Sequence, residues 1–147
     1  MSKNIELESR VWGPHYWFFF HTIALTYPKN PNTITKKKYY EFIQNIPMFI
    51  PLSEMANTFS ELLNEYPVVS YLDNRETLTK WFWFIHNKIN EKLEKKQLSI
   101  EEFYDKYYEM YRPVETISMK YDKIKKTIIY FVVLFALIAT IFYYYNQ

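Results

Sequence analysis

Across residues 12–113 the apolar positions recur three and four apart, the spacing of one helix face, and no convincing alternating run of strand type interrupts them. Prolines and capping residues cut this pattern into short pieces. Pro14 suits a first helical turn, and the run 15–27 stops at Pro28. Thr35 is placed to cap a second helix carrying Tyr39, Phe42, Ile43 and Ile46 on one side, ended by Pro47. Ser53 is placed to cap a third, with Met55, Phe59, Leu62 and Leu63 at helical spacing and a break before Pro67. Asp73 with Glu76, and Ser99 with Glu102, have capping-box spacing and begin a fourth and a fifth helix. The fourth displays Leu78, Trp81, Phe82, Ile85, Ile89 and Leu93. No internal repeat or low-complexity tract is visible.

After residue 126 the pattern changes from periodic to continuous. Residues 127–145 form an uncharged run of about nineteen positions, which at about 1.5 Å rise per residue nearly spans a hydrocarbon core of roughly 30 Å. The run is apolar on all sides, unlike a core helix with one wet face, and Tyr143, Tyr144 and Tyr145 suit an interfacial belt. Lys120, Lys123, Lys125 and Lys126 precede it and only Asn146 and Gln147 follow. The positive-inside rule therefore puts the N-terminal part on the cytoplasmic side of a single-pass membrane protein. The lysines add an attraction of about 1 kcal/mol each for anionic lipid near the surface. The first ten residues carry acids and no apolar core of a signal peptide, so none is expected. The organisation read from the sequence is an N-terminal extension (1–11), a helical domain (12–113), a basic linker (114–126) and a transmembrane helix (127–145).

Composition narrows the chemistry. The sequence of 147 residues is 49% apolar and 21% aromatic with one glycine, so large rings rather than closely spaced small residues fill its interior. A lone glycine excludes phosphate-binding loops, Rossmann turns and the G-x-S-x-G elbow, each of which needs at least two. The net charge of +2, from 18 basic and 16 acidic side chains, gives no nucleic-acid footprint. With no cysteine the chain has no disulfide, no thiolate metal site and no cysteine nucleophile. His15, His21 and His86 include no i, i+4 pair and no H-E-x-x-H, so no metal site is expected. Lys36, Lys37 and Lys38 read as a solvated first turn, although cations at a helix start oppose its dipole.

Two clusters combine rings with amides. The first holds Trp12, Gly13, Pro14, His15, Tyr16, Trp17 and His21, and the second is His86, Asn87, Asn90 and Leu93, in the pattern H-N-x-x-N-x-x-L. Positions 86 and 90 share one helix face. Imidazole and indole rings stack on flat heterocycles, and carboxamides donate and accept at ring edges and ribose hydroxyls. Taken alone, Trp17 and His21 read equally well as core residues with a hydrogen-bonded histidine. Gly13 suits a backbone position needing positive φ or a close approach.

In order and spacing these motifs resemble the Erv/ALR family of FAD-linked sulfhydryl oxidases, particularly the short forms of large DNA viruses. Gly13, Trp17 and His21 match its G-x-x-x-W-x-x-x-H helix. Phe49, Pro51 and Phe59 match the frame of its F-x-P-C-x-x-C segment, and His86, Asn87, Asn90 and Leu93 match its third motif. The resemblance implies an all-α fold, a compact four-helix bundle plus a short fifth helix, here followed by the transmembrane helix. It also implies FAD at one end of the bundle, with Gly13, Trp17, His21, His86, Asn87, Asn90, Lys92 and Lys95 as its contacts, and a homodimer or a heterodimer with a cysteine-bearing paralogue. A viral internal membrane with the domain facing capsid proteins would suit the tail anchor.

Leu52 and Met55 stand where the family has its two redox cysteines. Neither an isobutyl group nor a thioether can attack a disulfide or pass electrons to a flavin, so no catalytic residue is assigned. Both residues suit packing. The segment after the asparagines, Leu93-Glu94-Lys95-Lys96-Gln97-Leu98, departs from the family's L-G-K-P-x-F, and Pro14 replaces a common arginine. Three functions stay open: a redox-inactive structural or interaction component, a thiol oxidase using cysteines of a paralogue or partner, and an unrelated tail-anchored adaptor. The last requires that His21 and His86 lie apart.

Overall fold

The computed structural model describes residues 7–113 and 117–146, and among them it contains helices and no strand. The helices are α1 (Ser9–Thr26), α2 (Thr33–Asn45), α3 (Ser53–Glu65), α4 (Arg75–Lys92), α5 (Ile100–Met110) and α6 (Ile117–Tyr145). Short 3-10 turns at Ile46–Phe49 and Val68–Tyr71 follow α2 and α3. The chain separates into two units, Met1–Met110 and Tyr111–Gln147.

In the first unit α1 packs along α4, and their facing stripes form the centre of the core. Phe20 and Ala24 of α1 and Tyr27 just past its end meet Leu78, Trp81, Phe82, Ile85 and Ile89 of α4, with Ile43, Phe59 and Leu62 closing the sides. Each fully buried side chain of this size contributes about 1.5–3 kcal/mol through removal of apolar surface from water. The polar tips of the buried rings are paired, since the Tyr27 hydroxyl donates to the Leu72 carbonyl at 2.9 Å and Trp81 Nε1–H donates to the Tyr66 carbonyl at 3.0 Å. Phe103 and Tyr107 attach α5 to the same core.

Several boundaries differ from the sequence reading. α1 begins at Ser9, so it absorbs part of the expected extension and places Pro14 inside the helix rather than in its first turn. The proline deprives the Arg10 carbonyl of its helical partner, at an exposed residue that water can reach. Asn32, not Thr35, caps α2, and Asn74, not Asp73, caps α4; their side chains accept from the backbone N–H of Thr35 at 2.8 Å and Thr77 at 3.0 Å. Asp73 instead accepts from Lys36 at 2.7 Å. Leu52 occupies the N-cap of α3 without a side-chain cap bond, and Ser53 is already helical. Where two capping residues lie close together, periodicity does not choose between them, and asparagine at an N-cap matches or exceeds the alternatives. The Ser99–Glu102 capping box forms as expected: the Ser99 N–H donates to the Glu102 carboxylate at 3.0 Å and the Glu102 N–H to the Ser99 hydroxyl at 3.1 Å.

The second unit is α6. Met119–Tyr145 spans 27 residues and contains an 18-residue window of mean hydropathy 2.3, long and apolar enough to cross a membrane. Within the apolar run the two threonine hydroxyls donate to the helix's own carbonyls, Thr127 to Lys123 at 3.0 Å and Thr140 to Leu137 at 2.7 Å. The expected linker is helical from Ile117 onward, and its first residues, 114–116, lie outside the described residues, as do residues 1–6 of the extension.

Candidate functional site

His21 on α1 and His86 on α4 meet across the core, with His21 Nε2 and His86 Nδ1 2.9 Å apart. The adaptor reading, which needed these residues to lie apart, fails on this contact. His21 is fully buried, and the rings of Phe103 and Tyr107 from α5 lie 4.7 and 4.5 Å from it. Trp17, one turn before His21, stacks on His86 at 3.9 Å between ring centroids and an interplanar angle of 8°. The i, i+4 spacing puts Trp17 and His21 on the same side of α1, so one helix supplies both partners of the His86 ring.

The environment keeps both imidazoles neutral. Burial, then the charges of His86 and Lys106, hold His21 well below its ordinary value of 6.5. Burial, then Lys106 and Lys95, lower His86 to about 3. Nδ1 of His21 is buried without a hydrogen-bond partner among the described residues. A bare lone pair there costs less than a stranded N–H, so the bond network assigns the His21 proton to Nε2, donating to His86. Neutral His86 then carries its own proton on Nε2.

His86 forms part of the wall of a cavity of about 360 Å³. The α1 wall contributes Arg10, Trp12, Gly13 and Trp17, while α4 contributes Ile89 and Asn90 beside His86. Met55 comes from α3, and Lys106, Tyr107 and Met110 come from α5. The loop after α4 supplies Lys95, Lys96 and Leu98. Among the described residues four cations and no carboxylate line this space, Arg10 and Lys96 being paired with Glu8 and Glu102, so an anion is favoured, and the rings offer stacking faces.

Of the residues singled out by sequence, Gly13, Trp17, His86, Asn90 and Lys95 share this cavity with Met55, and His21 supports His86 from behind. Three others do not line it. The Asn87 carboxamide is engaged with the backbone of Leu98, donating at 2.8 Å and accepting at 3.0 Å. Lys92 is paired with Glu61 at 3.0 Å on an exposed surface, and Leu52 sits outside at the start of α3. The expectation for Gly13 is corrected: it has no positive φ, and a Cβ added there meets nothing within 4 Å. The left-handed residue is Glu94, at φ 54, where the resembled L-G-K-P segment has its glycine. Lys106 and Tyr107 escaped the sequence reading. Their signal was the i, i+4 pair Phe103 and Tyr107, the buried stripe that docks α5 against His21.

A family model described as the Erv1 / Alr family matches residues 14–109. A probable FAD-linked sulfhydryl oxidase of Acanthamoeba polyphaga mimivirus is 37% identical over 92 residues, covering 62% of this chain and 64% of that protein. The mitochondrial FAD-linked sulfhydryl oxidase of Schizosaccharomyces pombe is 31% identical over 83 residues, covering 56% of this chain and 46% of its own length. The chain thus spans less than two thirds of either relative. Among solved structures, the yeast Erv1 core superposes with a TM-score of 0.64 at 22% identity, covering 73% of this chain and 90% of that one. The FAD binding domain of Erv1 from Saccharomyces cerevisiae gives the same TM-score at 24% identity, covering 69% and 95%. At these identities the structures establish the shared fold.

Proposed function

We propose, from the premise that this chain belongs to the Erv1 / Alr family, that it holds a flavin but does not oxidise thiols by itself, and acts as a membrane-tethered binding or structural component. The observation that carries the reading is Met55 on the cavity wall, at the position of a family redox cysteine, in a chain with no cysteine at all. FAD is a flat ring system joined through a diphosphate to an adenosine, and the residues present fit it: aromatic faces at Trp17 and His86, an amide at Asn90, and the cations Arg10, Lys95, Lys96 and Lys106. When bound, FAD supplies an acceptor for two electrons. This chain's own residues would stack it through Trp17 and His86, neutralise its phosphates and supply a neutral imidazole pair at the cavity wall, but offer no thiolate to reduce it.

The α6 helix supports anchorage in a membrane, and the lysines preceding the span support a cytoplasmic position for the N-terminal domain. A viral internal membrane, with capsid proteins as neighbours, is part of this reading and rests on the viral relatives. The exposed side chains of Phe19, Met48 and Phe49 beside Phe42 support a protein partner, here a second copy or a cysteine-bearing paralogue.

Purified full chain should show a flavin absorption band, or acquire one with added FAD, and should consume no oxygen with a dithiol. Dithiol turnover by the isolated chain would overturn the proposal, and failure to take up FAD would remove its flavin half. A second reading keeps oxidase activity through thiols of a partner, supported by Met55 standing half-buried on the cavity wall. It requires turnover to appear when a cysteine-bearing partner is mixed with the flavin-loaded chain.

A further inference from the structure

The segment 93–98 between α4 and α5 forms one wall of the cavity and carries Lys95 and Lys96. It leaves α4 through Glu94 at φ 54, and the Lys95 N–H turns back to the Asn90 carbonyl at 2.8 Å. Its far end is held by side chains of α4. Asn87, 8% exposed, donates Nδ2–H to the Leu98 carbonyl at 2.8 Å and accepts the Leu98 N–H on Oδ1 at 3.0 Å. Trp83 Nε1–H donates to the same carbonyl at 2.9 Å. Immediately beyond, Ser99 and Glu102 start α5, and Glu102 also accepts from Lys96 at 2.6 Å.

A carboxamide alone among the side chains places a donor and an acceptor side by side, so it can pair with both backbone groups of one residue. Asn87 therefore ties α4 to the point where the loop becomes α5. Lys95 and Lys96 lie just before that point and Lys106 stands about two turns beyond it on α5, whereas the stacking rings of Trp17 and His86 stand on α1 and α4.

On the flavin reading above, we propose that Asn87 is a positioning residue: it sets the basic wall of the cavity and thereby makes the site prefer a flavin that carries a diphosphate over one that does not. Its effect is on the phosphate half of the ligand and not on the ring half.

The experiment titrates the full chain in detergent with FAD and, separately, with riboflavin, for the parent, Asn87→Leu and Asn87→Asp, and follows amide exchange across residues 93–99. Asn87→Leu removes both bonds to Leu98 and should weaken FAD on the order of tenfold, while riboflavin changes by less than about threefold. The Leu98 amide should exchange faster. Asn87→Asp keeps the acceptor and should fall between, and it decides the same ratio if Asn87→Leu loses its helical signal. An unchanged FAD-to-riboflavin preference in a variant whose loop exchanges faster overturns the positioning role alone. A parent chain that binds both flavins equally also overturns it, whereas one that binds neither overturns the flavin reading with it.

Discussion

The α4 wall of the cavity and the start of α3 face the same space through His86 and Met55, yet their chemistry is opposed. On α4 an imidazole is kept neutral in the core, bonded to a second buried histidine and stacked on an indole. Such an arrangement is expensive to maintain, since each buried polar nitrogen needs a partner and His21 Nδ1 still lacks one. At α3, by contrast, Leu52 and Met55 make no polar demand. Leu52 is 36% exposed and Met55 half-buried, so the packing advantage expected of a fully buried pair is only partly realised. Holding a ligand and delivering electrons to it are thus separable: the first depends on many mutually positioned groups, the second on two sulfur atoms.

The largest way to break this contrast is to restore the sulfurs. The double variant Leu52→Cys with Met55→Cys, loaded with FAD, should pass from no measurable dithiol oxidation to sustained oxygen consumption. If it binds FAD and stays inactive, the cavity wall is defective as well as the relay.

Next comes acid. Both histidines are held below their unfolded value, so the unfolded chain takes up protons that the folded chain refuses. Their contribution is intact above pH 6.5 and is lost as pH falls through 6.5 toward about 3, the lowered value of His86. The stability loss should approach about 1.4 kcal/mol per pH unit for each histidine. Between pH 6.5 and about 5.5, above the range where most carboxylates titrate, chemical denaturation of the parent should slope downward, and His21→Phe with His86→Phe should flatten it.

A smaller effect separates support from stacking. His86→Leu keeps bulk but strips His21 Nε2 of its hydrogen-bond partner, which should cost about 1–3 kcal/mol by thermal or urea unfolding and abolish FAD uptake. Smallest is the turn out of α4. Glu94→Gly relieves a left-handed backbone and should stabilise by about 1 kcal/mol, with FAD affinity unchanged because the loop's anchor at Leu98 is untouched.

Much of this fold is legible along the chain, and some of it is not. The five helical pieces and the apolar run after residue 126 follow from spacing, because a helix face repeats locally whatever it packs against. Caps were less legible. Asn32 and Asn74 won over Thr35 and Asp73 through bonds to Thr35 and Thr77 that any of several nearby polar residues was placed to make. Trp17, His21, His86 and Asn90 were readable as a site because they fall in dense motifs, whereas Lys106 and Tyr107 belong to no motif and reach the cavity only because α5 docks on His21.

The absence of cysteine is settled by the sequence alone, and with it the lack of a thiol relay, since no folding can create a thiolate from other side chains. Helix periodicity and the apolar span are likewise local properties of the chain. Only the tertiary structure decided that His21 and His86 share a hydrogen bond, that Asn87 serves a backbone rather than the cavity, and that Glu94 rather than Gly13 bends left-handed. Those outcomes depend on which distant groups arrive within hydrogen-bonding distance, and that is fixed by how α1, α4 and α5 pack.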